Sequence, residues 1–345
     1  MNASLSSKIL SGDRLALTRL LTQVENDTPE AREALDVLYP HTGRAHLIGI
    51  TGAPGTGKSS LVNQMALLYR SADPPRKVAI VAVDPSSPFT GGAVLGDRVR
   101  MRDLSGDPGV FVRSMASRGS LGGLARSTAA VARVFDAAGF DVVLIETVGA
   151  GQTEVDIARL AHTTIVVEAP GLGDDIQAIK AGILEIADII VVNKADRPGV
   201  ENTERALRIM LDLAHPVAKV FLHHGQATAP SLPPNAEPVG GEGGSPSPLW
   251  IPLLQRTVAI DGTGVPKLVG AIDRHADFLH ETGDWARVDR ARVEAELETL
   301  LREMLVTRFR EGLSGERYQD TLDQIANRKL SPWEAAQNLL NGRKR

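Results

Sequence analysis

The 345-residue chain contains no cysteine. Disulfides, thiolate metal sites, iron–sulfur clusters and cysteine nucleophiles are therefore excluded, and the composition agrees with a reducing compartment. A charge imbalance is also missing. The 38 basic and 42 acidic side chains leave a formal net charge of −4, so bulk electrostatics gives no reason to expect a nucleic-acid or membrane-surface partner. No apolar run approaches the roughly 18 residues of a spanning helix. The stretch Met1 to Lys8 lacks the apolar core of a secretion leader, so the expectation is a cytoplasmic protein. His223 and His224 form an isolated pair, with no cysteine or His-x-His array to complete a metal site.

What is present is a phosphate-binding loop. Residues Gly52, Ala53, Pro54, Gly55, Thr56, Gly57, Lys58, Ser59 and Ser60 match G-x-x-x-x-G-K-[ST]. The apolar run 46–51 before them predicts a buried strand, and 60–69 after them predicts a helix. That order aims backbone N–H groups and a helix N-terminus at an anion. Lys58 is expected on the β- and γ-phosphates, and Ser59 on Mg²⁺.

The base is indicated further along. Asn193-Lys194-Ala195-Asp196 follows the apolar run 189–192. A carboxylate at Asp196 can accept from both N1–H and the exocyclic amine of guanine, whereas adenine would leave it unpaired. Lys194 is expected against the ring, with Asn193 bracing the loop. Between the two motifs, an apolar strand ends in Glu146-Thr-Val-Gly149, the arrangement with which nucleotide switches sense a γ-phosphate. Glu146 is expected near the metal, and Gly149 to offer its N–H. Ala150 stands where Ras-like switches carry a water-positioning glutamine, and Gln152 is the nearest amide. Asp84 ends another apolar run and opens a loop rich in Pro, Ser and Gly that carries Asp97 and Arg98. Asp84 is placed to reach the metal, and the other two to enter the site when the loop closes. Asp174 and Asp175 either cap a helix or sense the nucleotide.

The chain as a whole predicts an α/β fold: a mostly parallel sheet of a P-loop GTPase domain, with an N-terminal helical segment and a C-terminal helical extension. Expected strands are 46–51, 77–83, 141–146, 163–168, 188–193, 217–222 and a last one at 250–259. Expected boundaries are 1–44 for the helical segment and 45–282 for the GTPase domain, which includes a Pro/Gly/Ser-rich surface loop at 224–248. A helical arm spans 283–345, with leucines at helical spacing in 284–312 and 317–341.

These stretches, with 83–87, 90–98, 119–123, 138–154 and 173–182, resemble the methylmalonyl-CoA mutase-associated GTPases (the MeaB/ArgK/MMAA family of the SIMIBI class). The resemblance covers about 42–196 closely. It implies slow GTP hydrolysis with Mg²⁺, and GTP or GDP as the ligand. It also implies a chaperone role toward an adenosylcobalamin-dependent acyl-CoA mutase, whose cofactor loading is gated and which is protected from inactivation. A homodimer joined through C-terminal helices is implied as well. By the same resemblance Asp84, Asp97 and Glu146 become metal- and switch-associated acids, and Lys180 belongs to a switch at 170–180. The family's guanine-backing Ser-Ala appears as Val258-Ala259, followed by Ile260, which leaves backbone contacts at that place. The competing expectations are a kinase tied to amino-acid transport and a nickel-insertion GTPase.

Overall fold

All six residues of β1 (His46–Thr51) are buried, as expected of a strand covered on both faces. In this computed structural model, β1 pairs in parallel with β4 (Val142–Thr147) on one side and β5 (Thr163–Glu168) on the other. Beyond β4 lie β2 (Val78–Pro85) and the edge strand β3 (Val110–Ser117). Beyond β5 lie β6 (Ile189–Val192) and then β9 (Leu253–Arg256). The sheet order is β3-β2-β4-β1-β5-β6-β9, and every pairing is parallel. A two-residue antiparallel ribbon, β7 (Leu222–His223) with β8 (Gln226–Ala227), stands apart from it. The described residues are 4–85, 101–104, 106–117, 123–147, 153–171, 186–214, 222–223, 226–227 and 249–341.

Successive side chains of a strand point to opposite faces, and two cores follow from this. Ala79, Val81 and Val83 of β2 face a core shared with the N-terminal helices, whereas Val78 and Ile80 face the core beneath α4 (Lys58–Ser71). The N-terminal helices are α1 (Leu5–Leu10), α2 (Arg14–Glu25) and α3 (Pro29–Leu38). Asp13 caps α2 by accepting from the Leu15 and Ala16 N–H groups, and Thr28 caps α3 with Pro29 at its first position. Leu17, Leu20, Leu21 and Leu38 are buried with Val131 and Phe135 of α5 (Gly123–Ala137). Asp136 of α5 accepts the N–H groups of Gly43, Arg44 and Ala45, which fixes the entry into β1.

Strand β3 falls between the expected strands at 77–83 and 141–146. The N-terminal helices hold it there: Arg14 donates to the carbonyls of Pro108 and Val110, and Arg113 donates to Glu25. On the other flank, α7 (Val200–Ala214) buries Val200, Leu207 and Leu211 against Ile190 and Val192. The sheet's second face is completed by α8 (Val265–Thr282), while α6 (Thr153–Leu160) follows β4.

By its internal packing the chain divides into Met1–Asp289 and Arg290–Arg345. Helix α9 spans Asp284–Glu311. In the second unit α10 (Gly315–Ala326) and α11 (Pro332–Leu340) are capped by Ser314 and Ser331, and Arg317 donates to the Asn338 carbonyl at 3.2 Å. The 317–341 stretch is thus two helices, because Arg328 takes a positive φ of 57° and Pro332 opens the second. Among the described residues, no helix is long and apolar enough to cross a membrane.

Candidate functional site

The carboxyl ends of β1, β4, β6 and β9 lead into residues that sequence reasoning singled out, at the edge of an open parallel sheet where ligands bind. The loop after β1 turns through Gly52 at φ 135° and Gly57 at φ 95°. A Cβ on Gly52 would lie 2.1 Å from the Val167 carbonyl oxygen, and one on Gly57 would lie 2.5 Å from Asn193 Nδ2. Both positions need glycine for space as well as for backbone angle. Gly57 is also the N-cap of α4, and no side chain among the described residues caps that helix end. The positive end of the helix dipole therefore faces the loop.

Lys58 is buried and donates to the carbonyls of Gly52 at 2.8 Å and Ala53 at 3.0 Å. Its ammonium is thus held over the cradle that the loop forms. The next residue, Ser59, donates from Oγ to Glu146 Oε1 at 2.6 Å. Strand register explains this contact: Glu146 lies beside Ile50 on β1, two residues before Gly52. Both side chains are buried. A hydroxyl and a carboxylate are hard oxygen donors, a set that fits Mg²⁺. Among the described residues, no group of three or more His, Cys, Asp or Glu is placed to hold a metal ion.

Asn193 joins the two halves of the site. Its Nδ2 donates to the Thr56 carbonyl at 2.8 Å, and its Oδ1 accepts from Thr257 Oγ1 at 3.1 Å and the Ala259 N–H at 3.0 Å. Lys194, at φ 56°, reaches back to the Gly55 carbonyl with Nζ at 2.6 Å. Asp196 is exposed at the rim. In the 257–264 turn, Val258 N–H is bonded to the Thr263 carbonyl and Ala259 N–H is committed to Asn193. Ile260 is 85% exposed, and its N–H has no partner among the described residues. The Ile260 N–H is therefore a donor open to a base at this turn.

The backbone of Asp84 lies at the end of β2, beside Ala116. Its side chain, together with Asp97, Arg98, Gly149, Ala150, Gln152, Asp174, Asp175, Lys180 and nearly all of 224–248, lies outside the described residues. Two partners were not anticipated. Thr257 is legible only as the residue before 258–260, and its hydroxyl supports Asn193. Thr147 donates to Thr51 Oγ1 at 3.0 Å, joining the ends of β4 and β1.

Residues 17–314 match the family described as Methylmalonyl Co-A mutase-associated GTPase MeaB. The chain belongs to this family. It is a GTPase of the P-loop type. A putative GTPase of Pyrococcus horikoshii is 43% identical, over 97% of this chain and 96% of the relative. The mitochondrial methylmalonic aciduria type A homolog of Caenorhabditis elegans is 31% identical, over 82% of this chain and 68% of the relative. A crystal structure described as LAO/AO transport system kinase has a TM-score of 0.66 at 24% identity. The match covers 99% of this chain and 98% of that one, a likeness of fold.

Proposed function

We propose that this GTPase is a nucleotide-driven chaperone for an adenosylcobalamin-dependent acyl-CoA mutase, gating cofactor loading and protecting the mutase. The observation that carries the nucleotide part is the convergence of Lys58 and the Ser59–Glu146 pair at one end of the 52–57 loop, with the Asn193 clamp at the other. The family match and the aciduria-type relative support the mutase link.

In this reading Lys58 leaves the carbonyls of Gly52 and Ala53 for the β- and γ-phosphates of GTP. Ser59 and Glu146 hold Mg²⁺, with Asp84 as a further acid, and the bound ion supplies positive charge against the charge that develops on the phosphates. Asp196 and the Ile260 N–H read guanine, while Lys194 lies against its ring. Asp97, Gly149 and Lys180 act as switch residues. Ala150 stands where a water-positioning glutamine is carried in Ras-like switches, so turnover by the protein alone is slow in this reading and the partner completes the site.

A homodimer is part of the proposal. On α9, Val293, Leu297, Leu301 and Leu305 are exposed and recur every four residues, with Met304 beside them, the stripe of a helix that meets a partner. The proposed units are 1–44, 45–282 and 283–345, with the last as the self-association arm.

Lys58→Ala is expected to abolish GTP turnover, and undiminished hydrolysis in that variant refutes the phosphate site. For the partner, the native protein is isolated from its host and whatever co-purifies is identified. A corrinoid-dependent mutase supports the chaperone reading. Repeated recovery of an amino-acid transporter, or micromolar nickel binding, overturns it.

A further inference from the structure

The opposite end of the sheet, where the strands begin, holds a second cluster of polar side chains that nucleotide chemistry does not use. Thr163, at the start of β5, is fully buried, and its hydroxyl sits between two imidazoles. Its Oγ1 lies 2.8 Å from His46 Nε2 and 2.9 Å from His275 Nδ1. The other nitrogen of His275, Nε2, lies 3.4 Å from Asp188 Oδ1. Asp188 Oδ2 accepts the Thr164 N–H at 2.7 Å, and the Asp188 carbonyl accepts from Leu253 N–H and Trp250 Nε1. His46 in turn lines a cavity of about 440 Å³ together with Arg44, Arg76, Asp273, His280 and Trp285. Asp188, His275, Thr163 and His46 thus lie in a line from the start of β6 to a cavity wall, joined by a 3.4 Å ion-pair contact at Asp188 and by hydrogen bonds at Thr163.

A hydroxyl has one proton, so Thr163 can donate to only one of its two histidines and must accept from the other. The direction is set at Asp188. With its carboxyl ionised, His275 keeps its proton on Nε2, facing the negative charge. Its Nδ1 then accepts from Thr163, whose oxygen accepts from His46 Nε2–H. With the carboxyl protonated, the O–H faces His275 Nε2 and the imidazole proton moves to Nδ1. Thr163 now accepts from His275 and donates to His46 Nε2, so His46 carries its proton on Nδ1. No proton is created or lost along the line beyond the one taken up at Asp188.

We propose that these four side chains are a tautomer relay: one proton bound or released at Asp188 reverses the hydrogen bonds through Thr163 and moves the ring proton of His46 in the cavity wall.

The neighbours are compatible with it. Partial burial, with the side chain 30% exposed, raises the Asp188 carboxyl to about 7, against the lowering effect of the Thr164 N–H. Burial lowers His275 to about 4, with His162 adding to the effect. His46 is held well below its ordinary value by burial and then by His162, His275, Arg76 and His280, so the two imidazoles stay neutral while Asp188 titrates. Of the nearby acids, Asp273 pairs with Arg76 and Asp289 with His162, while Asp277 also lines the cavity and has no ion pair among the described residues. His162 serves as an internal reference. Its Nδ1 accepts the Leu47 N–H at 3.1 Å and Nε2 faces Asp289 at 2.9 Å, which fixes the Nε2–H form.

The test is nitrogen–proton correlation on the full-length protein labelled at histidine, recorded at about pH 6 and about pH 8. His46 and His275 are expected to exchange their protonated ring nitrogen between the two conditions, while His162 does not. Asp188→Asn has its carbonyl held by the Thr164 N–H, so its amide N–H₂ faces His275. That variant is expected to lock His275 as the Nδ1–H form at both pH values. Thr163→Val is expected to abolish the response of His46 while His275 still responds, and Thr163→Ser is expected to restore it. A His46 ring that keeps one tautomer throughout in the wild type, or one that still switches in Thr163→Val, overturns the relay.

Discussion

Replacing Asn193 by alanine tests whether the phosphate half and the base half of the site are one mechanical unit. The side chain is 2% exposed and holds three partners from two loops: the Thr56 carbonyl, the Thr257 hydroxyl and the Ala259 N–H. A buried hydrogen bond contributes about 1 kcal/mol net, and an orphaned buried partner costs about 1–3 kcal/mol. Water entering the space left by the amide offsets part of this, so the expected loss is about 3 kcal/mol. Because Asn193 touches both loops, most of that loss is expected as ordering cost in nucleotide binding, a fall of about a hundredfold in GDP affinity at about 2.7 kcal/mol. Thr257→Val removes only the 3.1 Å bond and is expected to cost about 1 kcal/mol. Calorimetric titration with GDP, paired with urea unfolding, separates binding from global stability. If Asn193→Ala binds GDP within threefold of wild type and unfolds at the same urea concentration, the clamp carries none of the site's order and the reasoning fails.

Gly52→Ala places a methyl 2.1 Å from a backbone oxygen at φ 135°, whereas Gly139→Ala, at φ 79°, meets nothing within 4 Å. The first is expected to cost more than about 3 kcal/mol and to abolish nucleotide binding, the second only about 1 kcal/mol, measured by urea unfolding. Asp196→Asn replaces an acceptor by a donor at the rim. It is expected to weaken GTP binding at least tenfold and to improve binding of xanthosine triphosphate, whose base offers an acceptor where guanine carries its amine; unchanged preference in a competition assay removes Asp196 from base reading. The Asp188–His275 pair predicts a pH effect that the wild type conceals. Folded Asp188 is raised to about 7, so between about pH 4 and 7 it binds more protons than the unfolded chain, and its contribution to stability falls as pH rises. Folded His275 is lowered to about 4, so its contribution rises with pH over about 4 to 6.5, and the two slopes oppose. Relative to wild type, Asp188→Asn is expected to gain stability with rising pH in that window and His275→Asn to lose it, read as opposite shifts of the urea midpoint; parallel shifts refute the pairing.

The central strands were legible because a parallel strand buried on both faces is a plain apolar run, as in 46–51 and 189–192. The N-terminal helices were legible because Thr28-Pro29 and the leucine spacing of α2 are local signals. Strand β3 was not. Most of its residues whose burial is described are only half-buried, Arg113 and Ser114 interrupt the apolar pattern, and its support comes from Arg14 and Glu25, far away in sequence. The last strand is expected over 250–259 but spans only Leu253–Arg256. Trp250 turns to the Asp188 carbonyl, and 257–264 is a turn with glycine in the left-handed region at 262 and 264. Within the site, the 52–60 and 193–196 motifs could be read because each is contiguous. Thr257 and the Asp188–His275–Thr163–His46 line could not, since their members meet only after strands 46–51, 163–168 and 189–192 are placed in register.

That register also explains why phosphate and base recognition cannot vary independently. Glu168 stands beside Val192 and Val192 beside Arg256, so the chain leaves β5, β6 and β9 at one level, and Asn193 N–H is fixed by the Glu168 carbonyl at 2.8 Å. From there its amide can reach Thr56 only because Gly57 carries no side chain. A larger residue at 57 would displace the amide, and with it the bonds to Thr257 and Ala259 that shape the base loop. In the proposed reading, the glycine pattern 52–57 is thus a condition for guanine recognition as much as for phosphate binding, and the Asn-Lys-x-Asp motif is a condition for the shape of the phosphate loop. Lys194 reinforces the same dependence, since its Nζ closes on the Gly55 carbonyl. A nucleotide that engages either loop therefore acts on both.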